Sequence, residues 1–257
     1  MKFTVEKNNL FKSLSHVQSI VEKKNTLPIL SNILLEAKDN TLILSSTDMD
    51  LSITEKLNCN IIDNGSTTVS AHTLYDIIKK IPESSEIEII SNDGKIMSLR
   101  AGKSKFSLGC LPKEDFPIIE INKLENEINI DSQKFLKLLD KTRFAVSNEE
   151  TRYFLNGIYF HKIENQKSDI LSVVATDGHR LAKFDFNFNS KIGEIPGIII
   201  PKKAVNELYK LLIDFEGSIK INLDSNKIVF FVGKSTLISK LIDGSFPDYK
   251  RVIPVNN

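Results

Sequence analysis

The chain lacks the marks of several protein classes. It has only two cysteines, Cys59 and Cys110, and no Cys-x-x-Cys pair. That excludes a disulfide framework and a cysteine zinc site, and predicts two buried, reduced thiols. Its formal net charge is only +1. A bulk excess of basic charge is therefore missing, although a balanced total can hide a segregated field. No apolar stretch is long enough to span a bilayer, and Met1-Lys2-Phe3-Thr4-Val5-Glu6 is no signal region. No segment is of low complexity. These absences leave a globular, cytoplasmic protein.

Catalytic signatures are missing too. There is no Gly-x-Ser-x-Gly elbow. Gly-Lys-Ser occurs twice, beginning at Gly102 and Gly233, but the glycine required five positions earlier is replaced by Met97 and Ile228. Strand-like sequence follows each, where a phosphate loop needs a helix. His16, His72, His161 and His179 fall at no metal-ligand spacing. The Glu149-Glu150 pair reads as loop solvation or capping. No metal or cofactor is expected.

What is present is an ordinary globular profile, 41% hydrophobic and 26% charged, and an internal repeat. Phe3, Leu10 and Leu14 answer to Ile128, Phe135 and Leu139. Leu30-Ser31-Asn32-Ile33 answers to Leu155-Asn156-Gly157-Ile158, and Phe116-Pro117 to Phe246-Pro247. Thr47-Asp48-Met49-Asp50-Leu51 is echoed by Thr176-Asp177-Gly178-His179-Arg180-Leu181, each after a strand-like run. The offset drifts from 125 residues at Phe3 and Ile128 to 131 at Gly102 and Gly233, as loop insertions would make it do. Two tandem domains, 1–122 and 123–257, follow, joined by a linker at 115–127.

Apolar periodicity predicts helices over 7–21, 71–81, 132–146 and from about 201 to 212. Their inward residues include Leu10, Leu14, Val17 and Val21, then Leu74, Ile77, Ile78 and Ile81. Phe135, Leu138, Leu139, Thr142 and Val146 serve the third; Val205, Leu208, Leu211 and Leu212 serve the fourth. Lys7 and Lys12 lie off the apolar face of the first. Strands are predicted at 29–37, 41–46, 51–60, 67–70, 86–91, 95–100 and 103–111 in the first half. The second half has them at 157–163, 170–176, 197–200, 218–223, 227–232 and 237–241. Asp39-Asn40 and Asn92-Asp93-Gly94 mark hairpins, and Asp63-Asn64-Gly65 a turn. Each half is α+β, with helices set against antiparallel strands and an internal doubling.

The third helix carries Lys134, Lys137 and Lys141 at i, i+3 and i+7, and the fourth carries Lys203, Asn206 and Lys210 at the same spacing. Neither stripe contains an acidic residue. Lysine without interleaved aromatics suits phosphate contact without base reading, and equally a solvated surface. Asp177 beside His179 admits an enzymatic reading, and the basic faces admit a freestanding nucleic-acid-binding module.

Several motifs carry a specific resemblance. Thr26-Leu27-Pro28-Ile29-Leu30-Ser31-Asn32, Arg152-Tyr153-Phe154-Leu155-Asn156-Gly157, Ala175 to Leu181, and Phe246-Pro247-Asp248-Tyr249-Lys250-Arg251-Val252 resemble the bacterial DNA polymerase III beta subunit, the sliding clamp. The similarity runs across the whole chain.

The resemblance implies clamp-type domains with two helices each, a head-to-tail dimeric ring around duplex DNA, no catalysis, and a processivity role. It implies partner docking by short linear motifs of polymerase, clamp loader and repair proteins. The matching peptide-binding positions are Leu155, Thr176, Gly178, His179, Arg180, Leu181, Pro247, Arg251 and Val252. On the residues alone, Leu155, Leu181 and Val252 could equally be core. The DNA-contacting positions are Lys24, Tyr153, Phe154 and His72, the last standing where the family usually has a basic residue. The lysine stripes join them. A ring interface is implied around Lys105, Phe106 and Leu108. The family's third domain is expected to be absent, so that the chain alone does not close a ring.

Overall fold

The computed structural model describes residues 1–22, 26–121, 126–164, 168–188, 193 and 195–254. Two compact units are present, Met1–Glu120 with Gly233–Ile238, and Ile121–Val232 with Ser239–Asn257.

In the first unit, β1 (Lys2–Glu6) leads into α1 (Lys7–Ile20), followed by β2 (Asn32–Lys38), β3 (Thr41–Thr47), β4 (Leu51–Asn58) and β5 (Asn60–Asp63). The pattern restarts with β6 (Gly65–Ser70), α2 (Ala71–Lys80), β7 (Glu86–Ser91), β8 (Ile96–Ala101) and β9 (Ser104–Leu111). The strands run β4-β3-β2-β6-β9-β8-β7-β1-β5. The two half-motifs are interlocked, because β1 pairs antiparallel with β7 while β6 pairs with β2.

The second unit repeats this plan. β10 (Asn126–Asp131) and α3 (Ser132–Thr142) precede β11 (Gly157–Ile163), β12 (Ile170–Thr176) and β13 (Leu181–Asn187). Then come β14 (Ile198–Pro201), α4 (Lys202–Ile213), β15 (Ser218–Leu223) and β16 (Lys227–Val232); β17 (Ser235–Lys240) follows in the chain, with all but its last two residues counted in the first unit. Here β10 pairs with β15 and β14 with β11, the same exchange of first strands.

The helices bury the faces their periodicity predicts. Leu10, Leu14 and Val17 of α1 and Phe135 and Leu138 of α3 are fully inaccessible. In the second core Phe135 meets Phe160 and Phe230 at 6.2 and 6.0 Å between ring centroids. Ser70 and Asp131 cap α2 and α3 by accepting the backbone N–H of Thr73 and Lys134. The hairpin glycines of the repeat, Gly102 and Gly233, both adopt left-handed backbone, with φ of 55° and 59°. Asp39 and Asn40, at φ 50° and 59°, turn β2 into β3 as expected.

Several expectations are corrected. Residues Pro28–Ser31 form a 3-10 turn, and the strand expected from 29 starts at Asn32. The extended run over 51–60 breaks at Cys59, whose N–H bonds Asn40 instead. The third helix ends at Thr142, and Arg143–Ala145 continue as a 3-10 turn. Lys7 is buried, its ammonium 4.8 Å from the Phe11 ring centre. Ile77 is only half-buried. Both cysteines are free and half-buried, with burial pushing each thiol up. Strand β13 was not anticipated; its Lys183 and Asp185 interrupt an apolar pattern, as befits the outer strand of the order β13-β12-β11-β14.

Candidate peptide-binding and DNA-facing surfaces

The Thr176–Leu181 turn is built by its own polar side chains. The Thr176 hydroxyl accepts the N–H of Gly178 at 3.1 Å and donates to the carbonyl of Arg180 at 2.7 Å. Asp177 Oδ1 accepts the N–H groups of His179 and Arg180, each at 3.0 Å. Asp177 Oδ2 accepts Arg180 Nε at 2.9 Å. The backbone N–H of His179, then that of Arg180, hold the Asp177 carboxyl down at about 2, with the Arg180 guanidinium adding to the effect. Both carboxylate oxygens are thus engaged in the turn. Asp177 is a structural carboxylate and does not orient the His179 imidazole as a catalytic pair would require.

Gly178 has φ 88°, and a Cβ there would lie 2.7 Å from Arg152 Nη1. Arg152 is fixed by Glu149, through Nε–Oε2 at 2.8 Å and Nη2–Oε1 at 2.7 Å. Neither residue was singled out as a site residue, although their i, i+3 spacing is an ion-pair signal. The Arg180 guanidinium lies 5.6 Å from the ring centre of Phe144, an exposed aromatic also not anticipated. Leu155 is only 4% exposed and its carbonyl accepts the N–H of Ser147.

The C-terminal segment approaches the same neighbourhood. A Cβ on Gly244 would lie 3.6 Å from Phe154 Cβ and 3.7 Å from Tyr153. Tyr249–Val252 form a 3-10 turn in which Arg251 Nε donates to Asp248 at 2.9 Å. Pro247, Arg251 and Val252 are exposed, whereas Leu181 is half-buried. The turn at 176–181 and the segment around Gly244 therefore both meet the 150–155 turn.

On the helices, Lys134, Lys137 and Lys141 are exposed. Lys134 and Lys137 are not free of aromatics, since their ammonium groups lie 5.5 and 5.9 Å from the rings of Phe186 and Phe184 on β13. Helix α4 corrects the idea of a stripe without acid. The carboxylate of nearly buried Glu207 takes Lys210 Nζ at 2.8 Å. Lys203 is half-exposed. Tyr153 is 54% exposed, and Phe154 packs edge-on against it. In the first unit His72 Nδ1 lies 2.7 Å from Gln18 Nε2, which makes Nδ1 the acceptor. Lys24 lies outside the described residues.

Strand β9 carries Lys105, Phe106 and Leu108, respectively exposed, half-buried and buried. It pairs with β8 along its length, but β6 meets it only at Leu111 and Cys110. Among the described residues, the stretch before Cys110 has a strand on one side only. A cleft of about 350 Å³ lined by Ile77, Ile81, Pro82 and Phe106 adjoins it. No group of three or more His, Cys, Asp or Glu able to hold a metal occurs among the described residues. No helix there is long and apolar enough to cross a membrane.

Comparison with known proteins places these observations. Residues 1–120 match the DNA polymerase III beta subunit N-terminal domain, and residues 129–248 its central domain. The chain is 43% identical to the beta sliding clamp of Caulobacter vibrioides, covering all of this chain and 69% of that protein. It is 37% identical to the beta sliding clamp of Escherichia coli K12, with the same coverage. Among solved structures, a DnaN sliding clamp from Bartonella birtlesii bound to griselimycin superposes with a TM-score of 0.96 at 46% identity, over all of this chain and 69% of that one. A griselimycin-bound clamp from Pseudomonas aeruginosa gives 0.92 at 35% identity, over 99% of this chain and 68% of that one. The chain belongs to the bacterial DNA polymerase III beta subunit family, the sliding clamps, which are non-catalytic processivity factors of the replicative polymerase, and it carries that family's N-terminal and central domains.

Proposed function

We propose that the second domain docks short linear motifs of polymerase, clamp-loader and repair proteins on the surface formed by Leu155, the Thr176–Leu181 turn, Pro247, Arg251 and Val252. The observation that carries this reading is the locked turn. Thr176 and Asp177 fix its backbone, so Arg180 is presented without an ordering cost at binding. An apolar anchor entering such a site contributes about 1.5–3 kcal/mol. Single weak sites suit partners that must exchange, with tethering raising effective concentration.

The lysines of α3 and α4, with Tyr153, Phe154, His72 and Lys24, would face duplex DNA in a cytoplasmic homodimeric ring. Point charges on flexible stems track phosphates without reading bases. Lys210, held by Glu207, contributes less than Lys134, Lys137 and Lys141. The one-sided stretch of β9 at Lys105, Phe106 and Leu108 would supply the first domain's side of the ring contact, because an unpaired strand edge accepts another strand. We take the division between the domains to fall at 122/123, within the linker.

The test is titration with a peptide of the Gln-Leu-x-Leu-Phe type. Binding is expected in the micromolar range, about −8 kcal/mol. Arg180→Ala should weaken it at least about tenfold, or 1.4 kcal/mol, with the fold intact. Leu155→Ala should weaken it too, but Leu155 is buried, so truncation also costs about 2–5 kcal/mol of stability. Arg180 is therefore the cleaner probe. Unchanged affinity in folded Arg180→Ala protein would sink the assignment.

A further inference from the structure

The segment that carries Pro247, Arg251 and Val252 is fastened to one strand by aromatic side chains. Tyr159 and His161 stand two apart on β11, hence on the same face. The Tyr159 ring stacks on Phe246 with centroids 4.9 Å apart and planes 3° from parallel. His161 Nε2 lies 3.0 Å from the Tyr249 hydroxyl in a buried contact. The two β11 rings stack on each other at 4.7 Å. A Cβ on Gly197 would come within 2.2 Å of the Tyr159 hydroxyl, so glycine makes the space for that ring.

We propose that Tyr159 and His161 are positioning residues, setting where the Tyr249–Val252 turn sits and thereby where Arg251 and Val252 stand at the rim of the peptide-binding surface. The inference rests on the peptide-docking reading above for its functional consequence, and on the contacts alone for the anchoring.

The chemistry of the His161 contact defines a polarity. Nδ1 lies 3.3 Å from the Lys162 carbonyl, which can only accept. The neutral ring therefore carries its proton on Nδ1, and Nε2 accepts from the Tyr249 hydroxyl. Protonating Nε2 removes that acceptor. Burial pushes the imidazole down from its ordinary value, the Lys162 carbonyl opposes this, and Lys250 of the turn and Lys183 of β13 lower it further against Asp185. A folded-state value below the unfolded one means that the anchoring is complete above about pH 6.5 and is lost progressively as pH falls below it.

The reporters are the amides of Arg251 and Ile253, which donate to the Asp248 and Lys250 carbonyls. Hydrogen exchange is measured on wild type, Tyr249→Phe and His161→Phe, with α3 amides as the fold control. Tyr249→Phe should lose about fivefold in protection at these amides, the worth of one hydrogen bond. Wild type should lose protection on going from about pH 7.5 to 5.5 relative to α3, and His161→Phe should show no such pH term. Unchanged protection in both variants overturns the anchoring. Peptide titration is run in parallel and should weaken with Tyr249→Phe. Wild-type binding that the variants leave unchanged overturns the link to the rim. Folded wild type that binds no peptide overturns the docking reading and that link, while the exchange rates still decide the anchoring.

Discussion

The turn between β3 and β4 and the turn between β12 and β13 make the same hydrogen bonds at the same spacings. Thr47 accepts the N–H two residues on and donates to the carbonyl four residues on, as Thr176 does. Asp48 accepts the N–H groups two and three residues on, as Asp177 does. The strand registers agree as well, Thr47 pairing with Ser52 and Thr176 with Leu181. That register shifts the match at the end of the repeat by one position: Leu51 answers to Arg180 and not to Leu181, and Leu181 answers to Ser52. Leu51 is 3% exposed, whereas Arg180 stands out over Phe144. One frame, repeated, serves in the first domain to bury an apolar side chain and in the second to present a cation. The frame is a folding device, and the proposed docking role depends on what three of its positions carry.

Writing the first turn into the second should break the difference most severely. Gly178→Met with Arg180→Leu places the first domain's residues on the second domain's backbone. The first turn carries Met49 at φ 81°, so the backbone shape itself admits a side chain. The obstruction is the Arg152 guanidinium, 2.7 Å from where the new Cβ would be. Arg152 must leave the turn, and the Arg180 charge is gone. Peptide affinity should fall by more than about tenfold in a titration, beyond 1.4 kcal/mol. A double variant that binds like wild type would show that the contrast between the turns is decorative.

Much of this was readable in the sequence, and the reasons differ by element. The four helices announced themselves because each buries one periodic face, and the hairpins because Asp39-Asn40 and Asn92-Asp93-Gly94 demand particular backbone shapes. Strand β13 did not, because an outer strand with Lys183 and Asp185 in it lacks a clean period. The order β10-β15-β16, in which a strand pairs with one that follows it by some ninety residues, leaves no local trace at all. The candidate site was legible as a turn with a cation. Arg152 and Glu149, which press on Gly178, were not, since their role depends on a contact across some twenty-five residues of chain. The pairing of Lys210 with buried Glu207 follows from their i, i+3 spacing on α4, which a count of the lysine positions alone passes over.

A smaller effect should come from Asp177→Asn, which keeps an acceptor for the turn but removes the charge facing Arg180. The Asp177 carboxyl sits at about 2, below its ordinary value of 3.8. The sign follows: the carboxylate's contribution to the folded turn is complete above the ordinary value and disappears as pH falls toward 2. Titration of the Asp177 side-chain carbon by NMR should place its midpoint near 2, well below that of a free aspartate. Peptide affinity at neutral pH should drop only a few-fold, because the two backbone N–H bonds can still be accepted. A midpoint at the ordinary value would mean that the turn does not hold the carboxylate as described.

The smallest effect is expected on the other side of the comparison, from Met49→Gly. Met49 occupies at φ 81° the place that Gly178 takes at 88°. A side chain in the left-handed region costs about 1–2 kcal/mol. Glycine relieves that cost but gives back about 0.4–1 kcal/mol through the freedom it adds to the unfolded chain. Met49 is 44% exposed, so little burial is lost with it. The net change should be a gain of less than about 1 kcal/mol, read as a higher urea midpoint with an unchanged slope. A loss instead would mean that the Met49 side chain secures contacts worth more than the strain it bears. The first turn would then be specialised for packing as firmly as the second is for display, and glycine at 178 would reflect the approach of Arg152 and not the shape of the turn.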